Sequence, residues 1–136
     1  MKKNKIENKN RLKSKKTTEK IFNSGKVVYS SDKKLRAHYL LYRYSAESGI
    51  KSSVAVSKKA GKAVWRNRAK RLIKEANRLS NNIIFDCCLH KKMRLEIIFA
   101  VNNLNETANR KIFLTDIQLP FEEILNRINR EISESS

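Results

Sequence analysis

The chain has 136 residues, 40% hydrophobic and 32% charged, and its 31 Lys and Arg against 13 Asp and Glu give a net charge of +18. That length suits one compact domain rather than two, since most domains hold about 100–150 residues, and the charge calls for a strongly polarised surface that associates with polyanions. The longest apolar runs, such as Ile97–Val101, fall far short of the roughly 20 residues of a membrane span, so neither a transmembrane segment nor a membrane partner is expected.

The charge is unevenly placed. Residues 1–80 carry 24 Lys and Arg against 5 Asp and Glu, net +19, whereas residues 81–136 carry 7 against 8, net −1. An excess confined to part of the chain predicts a binding face rather than a generally solubilising surface.

Residues 1–16, rich in Lys and Asn, read as a flexible basic N-terminus ahead of a single domain over 17–136. They lack the apolar stretch of a secretion signal, so a cytoplasmic location is expected. A short helix is predicted from Thr17 to Ser24, with Ile21 and Phe22 apolar and Gly25 in the left-handed position after its end. Strands follow at Lys26–Ser31 and Leu35–Tyr44, joined as a hairpin across Ser31-Asp32-Lys33-Lys34, and a third at Ser52–Val56. After a turn at Gly61, a helix runs from Ala63 to Leu79. Asn81–Met93 carries weak signals, a helical extension and then a loop, before the apolar run Leu95–Val101, suited to a buried central strand. Past an Asn-rich loop, Pro120 precedes a final helix in which Phe121, Ile124, Leu125, Ile128 and Ile132 recur at helical spacing.

At about 100° per residue, Trp65, Ala69, Leu72, Ile73, Ala76 and Leu79 gather on one face of the Ala63–Leu79 helix and predict a core contact. Arg66, Asn67, Lys70, Arg71, Lys74, Asn77 and Arg78 fill the opposite arc, with Arg68 and Glu75 on its flank. Surface helices usually interleave acids with their cations, whereas this one has only Glu75, so a partner is expected to supply the anions. Ser57, Lys58, Lys59 and Lys62 extend the patch upstream, where backbone N–H groups at the helix start can also bind phosphate. Arginine suits bidentate phosphate contacts and base stacking, and Asn and Ser can bond base edges or sugars, which fits folded RNA. Phe22, Tyr42 and Tyr44 offer stacking surfaces to unpaired nucleotides, or equally core packing.

A protein nuclease needs several carboxylates, often with His, converging on one site. Here the acids of the basic part are scattered and the histidines are only His38 and His90, so no catalytic residue is assigned. Adjacent Cys87 and Cys88 with His90 fall one ligand short of a zinc site and read as reduced thiols. Charge, size and a basic helix also suit a structural RNA-binding protein of ribosomal type, or a DNA-compacting protein.

The stretch Val56-Ser57-Lys58-Lys59-Ala60-Gly61-Lys62-Ala63-Val64-Trp65-Arg66-Asn67-Arg68-Ala69-Lys70-Arg71-Leu72-Ile73-Lys74-Glu75 closely resembles the signature of the bacterial ribonuclease P protein family: a strand ending in S-K-K, a G-x-A-V turn, then R-N-R-x-K-R on a helix. Arg11-Leu12-Lys13 before a helix ending in Phe22 and Gly25, and Leu40-Leu41-Tyr42 on the second strand, are fainter echoes. The resemblance implies an α/β (α+β) two-layer sandwich, its small mixed four-stranded sheet containing a left-handed βαβ crossover. It implies a protein subunit of an endoribonuclease whose partners are the ribonuclease P RNA and precursor tRNA, with no protein partner required. It also implies that the RNA carries the chemistry and is the main holder of the Mg²⁺ cofactor. Carried over by position, Arg66, Asn67, Arg68, Lys70 and Arg71 match the motif that contacts the catalytic RNA, and Lys59, Lys62 and Lys74 extend it. Phe22, Tyr42, Ser57 and Lys58 fall on or beside a cleft for the single-stranded 5′ leader. Two positions depart from the family's habit: Thr18 stands where a second aromatic is common, so that leader stacking is either weaker here or supplied by Tyr44, and Val101 stands where a basic residue is common. The chain beyond Val101 is assigned to packing.

Overall fold

The computed structural model describes residues 15–43, 49–80 and 92–134. The readings made for residues 1–14, Tyr44, the stretch 81–91, Cys87, Cys88 and His90 lie outside them.

In chain order the elements are helix α1 (Lys15–Ser24), strands β1 (Lys26–Tyr29), β2 (Leu35–Tyr42) and β3 (Gly49–Ala55), a 3₁₀ turn (Lys58–Ala60), helix α2 (Ala63–Ser80), strand β4 (Arg94–Val101) and helix α3 (Leu114–Glu134). Helix α1 begins at Lys15, two residues before the start expected from the sequence. One mixed sheet runs β1-β2-β4-β3, with β2 antiparallel to both neighbours and β3 parallel to β4, so that β3, α2 and β4 form a βαβ unit.

The strand period of two sorts side chains between the faces. Leu35, Ala37 and Tyr39 of β2 and Leu95, Ile97, Phe99 and Val101 of β4 point to one face. There they pack on Trp65, Ala69, Ile73 and Ala76 of α2 and on Ile117, Phe121, Ile124, Leu125, Ile128 and Ile132 of α3. The rings of Phe99 and Phe121 lie 4.4 Å apart at this junction. This is the α+β sandwich expected. On the other face, among the described residues, α1 alone provides helical cover, burying Ile21 completely, and β4 is enclosed on both sides as its near-continuous apolar run foretold.

Two expectations change. Gly25 is not in the left-handed region. It is required because a Cβ there would strike the Ile21 carbonyl oxygen and come within 2.7 Å of that of Tyr39, where α1 closes onto β2. The last helix starts at Leu114, not after Pro120, which lies inside it. Its start is capped by Asp116, whose Oδ2 accepts from the Phe113 N–H at 2.8 Å, the reciprocal half of a capping box, and whose charge suits the first turn. Burial of Ile117 one turn before Phe121 offsets the cost of an interior proline.

Candidate RNA interface

The basic helix presents its cations as the wheel foretold, with two exceptions. Asn67, Arg71 and Lys74 are exposed, and Arg66, Arg68 and Lys70 partly so. Asn77, expected on the ridge, is buried and donates from Nδ2 to the Ser52 Oγ of β3 at 3.2 Å. Leu79, expected in the core, is exposed. Toward its C-terminal end α2 thus rolls onto β3, so the wheel's boundary shifts there. Arg78 is neutralised by Glu75 within the helix, its Nε donating to Oε1 at 3.1 Å.

Arg66 and Arg68 use only Nε within the fold, donating to the carbonyls of Gly61 at 3.0 Å and Ile112 at 2.9 Å. Their terminal nitrogens make no hydrogen bond among the described residues, an arrangement that aims the rest of each guanidinium outward. Lys58, Lys59, Lys62, Lys70 and Arg71 likewise have no carboxylate partner among the described residues. Lys58 and Lys59 stand exposed on the 3₁₀ turn, and Ser57 precedes it with its hydroxyl making no capping bond.

At the start of α2 one N–H is already engaged: Glu106 Oε1 accepts from the Lys62 N–H at 2.8 Å, while the Glu106 N–H donates to the Ala60 carbonyl at 2.7 Å. Gly61 makes this contact possible, since a Cβ there would lie 2.8 Å from the Glu106 Cβ and 3.2 Å from the Trp65 ring. Trp65 Nε1 donates to the Asn109 carbonyl at 2.9 Å, so successive turns of α2 strap the segment 104–112 alongside it.

The second surface is the sheet face that α1 only partly covers. Its cross-strand rows are Tyr42–Arg94–Gly49, Leu40–Glu96–Lys51, His38–Ile98–Ser53 and Arg36–Ala100–Ala55. Phe22 projects from α1 onto this face, 42% exposed, its ring edge-on to His38 at 4.7 Å. Tyr42 donates its hydroxyl to Glu96 Oε1 at 3.0 Å. Its ring lies 4.8 Å from the Arg94 guanidinium and 5.5 Å from the Lys20 ammonium, both within cation–π range. Glu96 is 4% exposed, and Arg94 pairs with it at 2.5 Å, so its buried charge is compensated. Phe22 and Tyr42 therefore share one face of the sheet. Ser57 and Lys58 continue from the far end of β3, beyond Ala55, which is six residues or about 20 Å from the Tyr42 row.

Sequence reasoning missed Arg36, His38, Arg94 and Glu96 on this face. The alternation Arg36-His38-Leu40-Tyr42 signals the first two, while the others needed the β2–β4 register. Arg36 Nε donates to His38 Nε2 at 3.1 Å, and burial, then that cation, holds His38 below its usual value near 6.5. A neutral ring that accepts at Nε2 carries its proton on Nδ1, which is buried and has no partner among the described residues.

No group of three or more His, Cys, Asp or Glu among the described residues is placed to hold a metal ion. The acid on the sheet face, Glu96, is already engaged by Tyr42 and Arg94, so these side chains do not fit a protein-held Mg²⁺ site.

A cationic helix whose guanidinium tips are unspent, beside a sheet face bearing aromatic and basic side chains, defines an α+β RNA-binding protein. The family model for ribonuclease P matches residues 6–124. The chain belongs to the ribonuclease P protein family, and its role is that of the protein subunit of the ribonuclease P ribonucleoprotein, part of that endoribonuclease holoenzyme. It is 33% identical over 105 residues to the ribonuclease P protein component of Alkaliphilus oremlandii, spanning 75% of this chain and 82% of that one. Its fold is that of the ribonuclease P protein of Staphylococcus aureus (21% identity, TM-score 0.65, 91% of this chain and 92% of that one). It is also that of the protein from Thermotoga maritima (20% identity, TM-score 0.64, 88% and 96%).

Proposed function

We propose that α2 and the turn before it hold the catalytic RNA of the ribonucleoprotein, while the sheet face that α1 partly covers receives the 5′ leader of precursor tRNA. Lys59, Lys62, Arg66, Asn67, Arg68, Lys70, Arg71 and Lys74 are the anchors toward the catalytic RNA. Phe22, Tyr42, Ser57 and Lys58 guide the leader. The observation that carries the reading is the separation of two basic surfaces by one sheet: a helix of outward guanidinium groups on one layer, and a face with aromatic rings and cations on the other.

Two RNAs approaching each other repel through their phosphates, and a protein of net charge +18 set between them lowers that repulsion. On the sheet face an extended strand would run from the Tyr42 row past Phe22 to Ser57 and Lys58. Flanked by Lys20 and Arg94, Tyr42 offers phosphate contacts as much as a stacking plane. Phe22 and the His38 ring beneath it provide the apolar contact for a base. Mg²⁺ belongs, in this reading, to the RNA, and the protein residues act by binding and orienting. The compartment is the cytoplasm.

The deciding experiment is cleavage of a precursor tRNA by the cognate ribonuclease P RNA at low Mg²⁺, with and without this protein. Stimulation yielding 5′-mature tRNA is expected. Binding without stimulation by a verified active RNA would leave only a structural RNA-binding role.

A further inference from the structure

A single exposed phenylalanine needs no explanation on most proteins. Phe113 differs in how it is held and in what surrounds it. It is 55% exposed, yet its backbone is fixed as the cap of α3 by Asp116, and the residue before it, Ile112, is buried and anchored by Arg68 of α2. The same Arg68 lies 6.0 Å from the Phe113 ring centroid, so the ring stands beside the basic helix rather than apart from it. Val64, one helical turn before Arg68, is 83% exposed and adds apolar surface on that side of α2.

The surroundings are cationic. Arg110 and Lys111, both exposed, immediately precede Ile112 and have no partner among the described residues. The neighbouring acids are committed elsewhere, Glu106 to the Lys62 N–H and Asp116 to the Phe113 N–H. A rigidly presented ring beside unneutralised cations suits a nucleobase turned out of a folded RNA, where the ring stacks and the cations meet flanking phosphates. Because the backbone is already fixed, little ordering is required on binding.

We propose that Phe113, with Arg68, Arg110 and Lys111, forms a second docking point for the ribonuclease P RNA, receiving an unstacked base. The proposal rests on the reading of α2 as the helix that faces this RNA. It extends the interface to a segment that sequence reasoning had assigned to packing.

The test is binding of the full-length chain to cognate ribonuclease P RNA, without precursor tRNA, over a series of salt concentrations. Phe113→Ala is expected to bind about ten-fold more weakly with the salt slope unchanged, because the ring neutralises no phosphate. Phe113→Leu, which keeps apolar bulk without a ring plane, is expected to be equally weak, and Phe113→Trp to retain affinity with its added indole emission quenched by the RNA. Wild-type affinity in Phe113→Ala or Phe113→Leu overturns the stacking point. If Arg71→Ala is weakened in the same series, the reading of α2 survives that result; if neither variant is weakened, both fall. A loss in Phe113→Ala that appears only when precursor tRNA is present assigns the ring to the substrate and also overturns the proposal.

Discussion

Arg68 and Arg71 lie one turn apart on α2, yet the fold holds only one of them. Arg68 satisfies the Ile112 carbonyl, so Arg68→Ala is expected to weaken RNA binding and also to cost about 1 kcal/mol, a fall in Tm of roughly 4 °C. Among the described residues Arg71 makes no such bond, and Arg71→Ala is expected to lower the salt slope of RNA binding by about one with Tm unchanged. Thermal melts and salt-dependent binding on the two variants separate these outcomes. Gly25→Ala places a methyl against two backbone carbonyls that cannot swing aside and is expected to destabilise by about 2 kcal/mol or more, measured by denaturant unfolding. The exposed basic positions of α2 were legible because helical spacing sorts residue types between its faces. Their internal partners were not, because Arg68 and Ile112, or Gly25 and Tyr39, meet only in the folded chain.

Among the elements, α2 was the most legible. Trp65, Ala69, Ile73 and Ala76 are buried as helical periodicity required. The wheel failed at Asn77 and Leu79 because it assumes one straight contact line, while α2 packs on both β3 and α3. A polar residue turned inward was satisfied by Ser52, a pairing no local pattern reveals. Asn77→Ala is therefore expected to cost about 1–3 kcal/mol by leaving the Ser52 hydroxyl without its partner, while RNA affinity is unchanged. Loss of affinity in a folded Asn77→Ala protein would return this side chain to the RNA-binding ridge. In α3, Pro120 hid the first turns. Proline usually marks a boundary, but burial of Ile117 and the Asp116 cap outweigh that local preference.

For the molecule as a whole, a net charge of +18 pulls in two directions as salt changes. Screening relieves self-repulsion, so Tm of the free protein is expected to rise from low to moderate ionic strength, while RNA affinity falls steeply over the same range. Parallel melts and binding titrations check both signs. Acid acts through the contacts that tie α3 to the first hairpin. Burial opposes the Glu131 charge, but hydrogen bonds from Lys26 and Tyr39, the latter at 2.6 Å, prevail and hold its carboxyl below the ordinary value of 4.5. A depressed carboxyl contributes stability above the unfolded value that is lost as pH falls through the folded one. Unfolding free energy is thus expected to decline below about pH 4.5, and less steeply in Glu131→Gln.

The position of β4 at the centre of the sheet orders events during synthesis. β3 pairs only with β4 among the described strands, and β2 depends on it for one whole edge. A ribosome adding about 5–20 residues per second releases the cation-rich first 80 residues well before Arg94–Val101 is available to join them. The arginine helix is therefore translated, and open to any nearby nucleic acid, before the sheet that will carry it can close.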